Sequence, residues 1–185
     1  MLFTGKGDSG TTTTFGCNQR LSKSSVIAEA LGALDEANSL MGVCKALLAK
    51  NSDTYRLDDA PLAGLVHDAQ ETLFIIQAAV AGAPQTVAEE KVTKLGELIG
   101  SMEDAMPPIK VFSIPGATEL SAQLDTARTV ARRTERRVVA VSEEGTVAVA
   151  PEVLAYLNRL SSLLFAMARY VNHVQGVDET APSYK

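Results

Sequence analysis

The chain has 185 residues, 46% of them hydrophobic and 21% charged, with a formal net charge of −5 at pH 7. That length gives one domain with a real core, and the acidic balance argues against a nucleic-acid binder, whose footprint is a basic excess. No apolar run approaches the ~18 residues of a membrane span, so no membrane association is expected. The N-terminus has neither the layout of a signal peptide nor that of a transit peptide. A reducing, cytoplasmic setting is the expectation.

In chain order, a Gly/Thr-rich opening, "FTGKGDSGTTTTFG", precedes five segments with helical periodicity. The first runs from Ser24 to Lys50, with Ile27, Leu31, Leu34, Ala37/Asn38, Met41 and Cys44/Lys45 on one stripe. "NSDTYRLDDAP" reads as a loop. The second helix, Leu62 to Ala81, carries Leu65, Ala69, Thr72/Leu73, Ile76 and Ala79/Val80 on one side, and Gly82 and Pro84 stop it. The third spans Val87 to Met102. "IKVFSIPGAT" is short, β-prone and bounded by proline and glycine, which predicts an extended loop. The fourth covers Glu119 to Val141, "SEEGTVAVA" reads as a turn or short loop, and Pro151 opens a fifth helix to Gln175. The polar tail, 176–185, is expected to be mobile. Five amphipathic helices with short connections predict an all-α fold, an antiparallel five-helix bundle. The domain would divide into an opening loop (1–23), the bundle (24–175) and the tail.

Three polar features interrupt this apolar design. The fourth helix contains "ARTVARRTERR", with Arg128, Arg132, Arg133, Arg136 and Arg137 in a chain that is acidic overall. At about 100° per residue, Arg128, Arg132, Glu135 and Arg136 share one face, Arg133 and Arg137 form a neighbouring stripe, and Val130, Ala131, Thr134, Val138 and Val141 cover the remainder. Clustered like charges at helical spacing repel. They form either a solvated, salt-bridged surface or a site for a small polyanion, which arginine's planar fork suits.

The opening segment is the second feature. Gly5, Gly7 and Gly10 satisfy G-x-G-x-x-G, but no strand–turn–helix unit surrounds them and no G-K-[ST] follows. It is either a floppy tail or a glycine-rich cradle for phosphate, with Thr hydroxyls and Lys23 nearby. The third feature is "YLNRLSSLLFAMAR", in which Asn158 and Arg159 interrupt an apolar helix and Ser162 lies one turn on. Cys17 and Cys44 stand apart with no CxxC, and His67 and His173 form neither HExxH nor a nucleophile motif. No resident metal site is expected.

Taken in order, "FTGKGDSGTT", "AEALGALDEANSLMG", "FSIPG", "ARTVARRTERR" and "YLNRLSSLLFAMAR" resemble the PduO-type ATP:cob(I)alamin (corrinoid) adenosyltransferase family. The resemblance implies a homotrimer with active sites between subunits. It implies that the opening is a nucleotide-binding loop that wraps ATP through Thr4, Gly5, Lys6, Gly7, Thr12 and Thr13, with Lys23 just beyond. Arg132, Arg133, Glu135, Arg136 and Asn158 match ATP contacts. Asp35 matches a carboxylate that pairs with the equivalent of Arg128 across the subunit boundary. Phe112 matches an aromatic that crowds the lower face of the corrinoid and keeps an axial ligand off cobalt.

The implied substrates are ATP and cob(I)alamin, with Mg²⁺ carried mainly on the ATP phosphates, and an adenosylcobalamin-dependent acceptor enzyme is an implied partner. Ser162 stands where the family motif usually has aspartate, and the lysine of the opening is displaced by one position. These departures keep open a non-catalytic ATP- or corrinoid-binding relative, and a helical interaction scaffold is the third reading.

Overall fold

A computed structural model describes residues 3–14 and 20–185 of the chain; Cys17 lies outside them. Five helices form the body: α1 (Val26–Ala49), α2 (Leu62–Val80), α3 (Glu89–Asp104), α4 (Glu119–Glu144) and α5 (Pro151–Val174). Each start has a local cause. The Ser25 hydroxyl accepts the Ala28 N–H at the head of α1. Thr118 and Ser121 satisfy each other's free groups in a capping box at the head of α4. Pro151 occupies the first turn of α5, where its missing N–H costs nothing. The fourth helix runs three residues past its expected end. "SEE" is good helix sequence, and the chain stops only at Gly145, whose N–H bonds the Val141 carbonyl at 3.3 Å.

Four short strands were not expected. Strand β1 (Thr11–Thr13) pairs antiparallel with β2 (Arg20–Ser22) in the opening segment, with Thr12 opposite Leu21. Strands β3 (Arg56–Leu57) and β4 (Ala60–Pro61) form a tight hairpin inside the segment read as a loop, with Asp58 at φ 50° in its turn. Two or three residues are too few for alternation to register in a sequence pattern.

The side-chain pairings fix the helix directions. Thr134 Oγ1 donates to the Ala33 carbonyl, and Arg137 faces Glu29, so α1 and α4 run oppositely. Gln70 donates to the Asn38 carbonyl across α1 and α2. Lys94 faces Asp68, and Lys91 donates to Thr72 across α2 and α3. Asn158 and Arg169 of α5 face Glu135 and Asp125 of α4. The helices therefore close into a ring in the order α2, α1, α4, α5, α3. Alternation cannot be completed around five members, so α3 and α5 run in the same direction within the otherwise antiparallel five-helix bundle.

The core fills the ring. The expected α2 stripe is buried throughout, as are Val130, Ala131, Thr134, Val138 and Val141 of α4. In α1 the buried face is rotated slightly towards Ala30, Ala33 and Leu48, leaving Ile27 and Leu31 half-buried at its edge. The tail is tied down at least to Thr180. Asn172 Nδ2 donates to Glu179 at 2.8 Å, and the Ile114 N–H donates to the Thr180 carbonyl at 2.8 Å.

Cys44 has no solvent exposure, and burial pushes its thiol from 9.0 up to about 11. The folded state therefore favours the protonated thiol. The resulting stabilisation is full below pH 9 and is lost as pH rises from 9 towards 11, and it amounts to about 3 kcal/mol at most. Native protein at pH 8 should leave Cys44 unlabelled by a maleimide and label it on unfolding, as peptide mapping would read. Labelling of the native state at the unfolded rate would refute this.

Candidate active site

The arginines of α4 are sorted by what they face. Arg133 pairs with Glu36 and Arg137 lies 3.7 Å from Glu29, so this stripe is tied to α1. Arg128 Nε bonds Asp125 Oδ1 at 3.0 Å, and its guanidinium carbon sits 5.8 Å from the centre of the Phe165 ring. Glu135 accepts from Asn158 Nδ2 at 3.0 Å. Among the described residues, Arg132 and Arg136 have no ion-pair partner, and both are exposed. The salt-bridged-surface reading thus accounts for one stripe only.

Arg132 projects along a cleft of about 280 Å³ between α3, α4 and α5. Ile99, Glu103, Met106, Ile109, Arg128, Ser161, Ser162, Phe165 and Ala166 complete its lining. A second cleft, about 470 Å³, runs under the loop 109–115 and is walled by Asp125, Arg128, Phe165 and Arg169. The two share Ile109, Arg128 and Phe165, so they adjoin as a trough, with Arg132 at one end and the mostly apolar loop at the other. Phe112 hangs over the apolar end with 81% of its surface exposed, beside Val111 and Ile109. Such a run of exposed apolar side chains on a single loop marks a binding surface.

In the opening segment the described residues form the paired strands β1 and β2, preceded by two turns. The two turns before β1 close through Asp8 N–H to the Gly5 carbonyl and Gly10 N–H to the Gly7 carbonyl. Gly5 and Gly10 take φ of +66° and +78°, which side-chain-bearing residues rarely adopt. Arg20, from β2, donates to both Thr11 Oγ1 and the Lys6 carbonyl and so pins the lysine-bearing turn. Lys23 lies across Gly7, where an added Cβ would stand 3.1 Å from its Nζ. Thr4, Lys6, Thr13 and Lys23 are exposed, and Thr12 is half-buried.

Among the described residues, no hydrogen bond or ion pair joins this segment to the arginines of α4. Asp35 is likewise exposed on α1, and Arg128 is held by Asp125 of its own helix. One chain therefore brings together Arg128, Arg132 and Phe112 in one trough and Glu135 with Asn158 beside each other. Thr4 to Thr13 with Lys23, and Asp35, line neither cleft.

Three contributors escaped the sequence reading: Arg20, Phe165 and Arg169. The last two continue the Asn158–Ser162 spacing by three and four residues, so one face of α5 reads 158, 162, 165, 169. Arg20 carried no signal, because its role depends on a three-residue strand.

A cationic trough under an apolar loop, on a five-helix bundle, suits a ligand that is anionic at one end and apolar at the other. The sequence matches the cobalamin adenosyltransferase family over residues 2–171, and the chain belongs to that family. It is 36% identical over 188 residues to a corrinoid adenosyltransferase from Citrobacter freundii, covering 98% of this chain and 96% of that one. A longer relative from the same organism, a corrinoid adenosyltransferase PduO, is 36% identical over 179 residues; the match takes in 93% of this chain but 50% of that relative. The fold also matches a phenylalanine-to-alanine variant of the PduO-type ATP:corrinoid adenosyltransferase from Lactobacillus reuteri, complexed with cobalamin and ATP. The TM-score is 0.87 at 28% identity, over 99% of both chains. No described helix is long and apolar enough to cross a membrane.

Proposed function

We propose that the protein transfers the 5′-deoxyadenosyl group of ATP to cob(I)alamin, giving adenosylcobalamin and triphosphate. The observation that carries this is the trough that places Arg128 and Arg132 at one end and the Phe112 loop at the other. The cobalt(I) electron pair attacks C5′, the C5′–O5′ bond breaks, and its electrons leave on triphosphate. No side-chain nucleophile or base is needed, so the chain's task is alignment and charge stabilisation. Arg132, Lys6 and Lys23 would face the phosphates, with Mg²⁺ entering on the nucleotide. Thr4, Gly5, Gly7, Thr12 and Thr13 would wrap the nucleotide, and Arg133, Glu135, Arg136 and Asn158 would border it. Phe112 would cover the lower corrinoid face and exclude an axial ligand.

The opening segment and Asp35 line neither cleft and make no bond to the α4 arginines among the described residues, which supports a site shared between subunits. Asp35 of one subunit would reach Arg128 of the next in a homotrimer, and sedimentation should read a mass three times 19.6 kDa. Cobalt(I) survives only under reducing conditions, which suits a cytoplasmic enzyme handing its product to an adenosylcobalamin-dependent acceptor. Purified protein given Mg-ATP and chemically reduced cobalamin under anaerobic conditions should form adenosylcobalamin and triphosphate. Failure to form either would refute the transferase. Ser162 lines the cationic end where the family motif usually supplies a carboxylate, and this favours a non-catalytic relative as the second reading. Calorimetric ATP binding without turnover would establish it.

A further inference from the structure

Arg169 is the most deeply placed arginine of the trough, with only 5% of its surface exposed, and nothing in the reaction above uses it. It sits where four parts of the chain meet. One guanidinium nitrogen donates to Ser113 Oγ, immediately after Phe112. Another donates to Asp125 Oδ2 at 2.8 Å, and the other oxygen of Asp125 holds Arg128. Its Nε lies 2.7 Å from Glu179 Oε1 of the tail, an ion pair too far off line for an N–H···O bond. The Phe165 ring, 5.1 Å from its guanidinium carbon, fixes the plane of the fork.

The loop has little else to hold it. Ile109, Val111, Phe112 and Ile114 are all half or more exposed. A further cleft of about 270 Å³ separates the loop from the tail, and Arg169 walls that cleft as well as the apolar end of the trough. A loop with open space on both sides takes its position from its anchors. These are Arg169 to Ser113 and the backbone bond from Ile114 to Thr180. Two cations, Arg128 and Arg169, are balanced by two carboxylates, Asp125 and Glu179, so moving one member changes the pull on the others.

We infer that Arg169 is a positioning residue that sets Phe112 and Arg128 in a common frame, and that Glu179 of the tail is the second carboxylate holding it there. The inference rests on the transferase reading for its kinetic consequence, but its mechanical half does not. The substitutions that test it are Glu179→Gln, which keeps the acceptor for Asn172 while removing the charge, and Ser113→Ala, which removes the loop anchor alone. Neither side chain is fully buried.

The chain contains no tryptophan, so Phe112→Trp installs a single fluorescent reporter on the loop. In that background both substitutions should lower the steady-state anisotropy of the reporter, with the Tm within a few degrees of the parent. In the protein with Phe112 intact, both should raise the KM for cobalamin by about tenfold while leaving the KM for ATP unchanged. An unchanged anisotropy overturns the inference, as does a cobalamin constant that stays put or moves in step with the ATP constant. A parent protein that makes no adenosylcobalamin sinks the transferase reading instead, and the anisotropy result then decides the anchoring by itself.

Discussion

Arg132→Ala should abolish most of the activity and leave the fold almost untouched. The side chain is exposed along the trough, and no ion-pair partner holds it among the described residues. Removing such a surface arginine normally changes stability by under about 0.5 kcal/mol. In the proposed reaction the same guanidinium faces the group on which charge develops, where one preorganised donor is worth about 10²–10³ in rate. Initial rates with chemically reduced cobalamin, set beside thermal unfolding of the same preparations, would show the split. Arg133→Ala is the internal comparison, since Arg133 is tied to Glu36 and should lose less activity. Parallel loss of rate and stability at Arg132 would mean that the residue is structural.

Asp125→Ala should have the largest effect on stability. Its carboxylate is 4% exposed and neutralises Arg169, also 4% exposed, while holding Arg128 with its other oxygen. Deleting it leaves Arg128 and Arg169 with Glu179 as their one remaining carboxylate, and stranding a charge in this way costs about 3–5 kcal/mol. For a domain of this size that is a fall in Tm of roughly 6–20 °C. Because the cost is the stranded charge and not the lost attraction, adding Arg169→Met should recover most of the stability. Activity should stay low in the double variant, since Arg128 still lacks its tether and the loop its anchor. A single Asp125→Ala variant that melts with the parent would show that water reaches Arg169 freely.

The helices were legible because each is long enough for its apolar stripe to repeat over several turns, and because three of their starts carry local chemistry at Ser25, Thr118 and Pro151. The ring order was not legible. It depends on which polar residues meet, such as Thr134 with the Ala33 carbonyl, and those partners are about a hundred positions apart. The cationic trough could be read because arginines on an acidic chain are conspicuous. Arg169 and Phe165 could not, since an arginine and a phenylalanine near the end of an apolar helix look like ordinary edge and core. The contacts of the tail were hidden for a related reason. Its polarity signals exposure, but Glu179 and Thr180 make their bonds to distant residues that composition does not reveal.

The odd number of helices has one more consequence. Helix α3 and helix α4 are consecutive in the chain, yet α5 stands between them in the ring. Because α3 and α5 point the same way, the link from Ala105 to Thr118 has to bridge the C-terminal end of α5, about a helix diameter. A segment obliged to arch over that end cannot bury both of its sides, and its greasy residues are left facing outward at the place where the tail emerges. The loop is thus a by-product of parity: its span is dictated by the bundle, while exposed side chains such as Val111 and Phe112 rest on nothing the helices need.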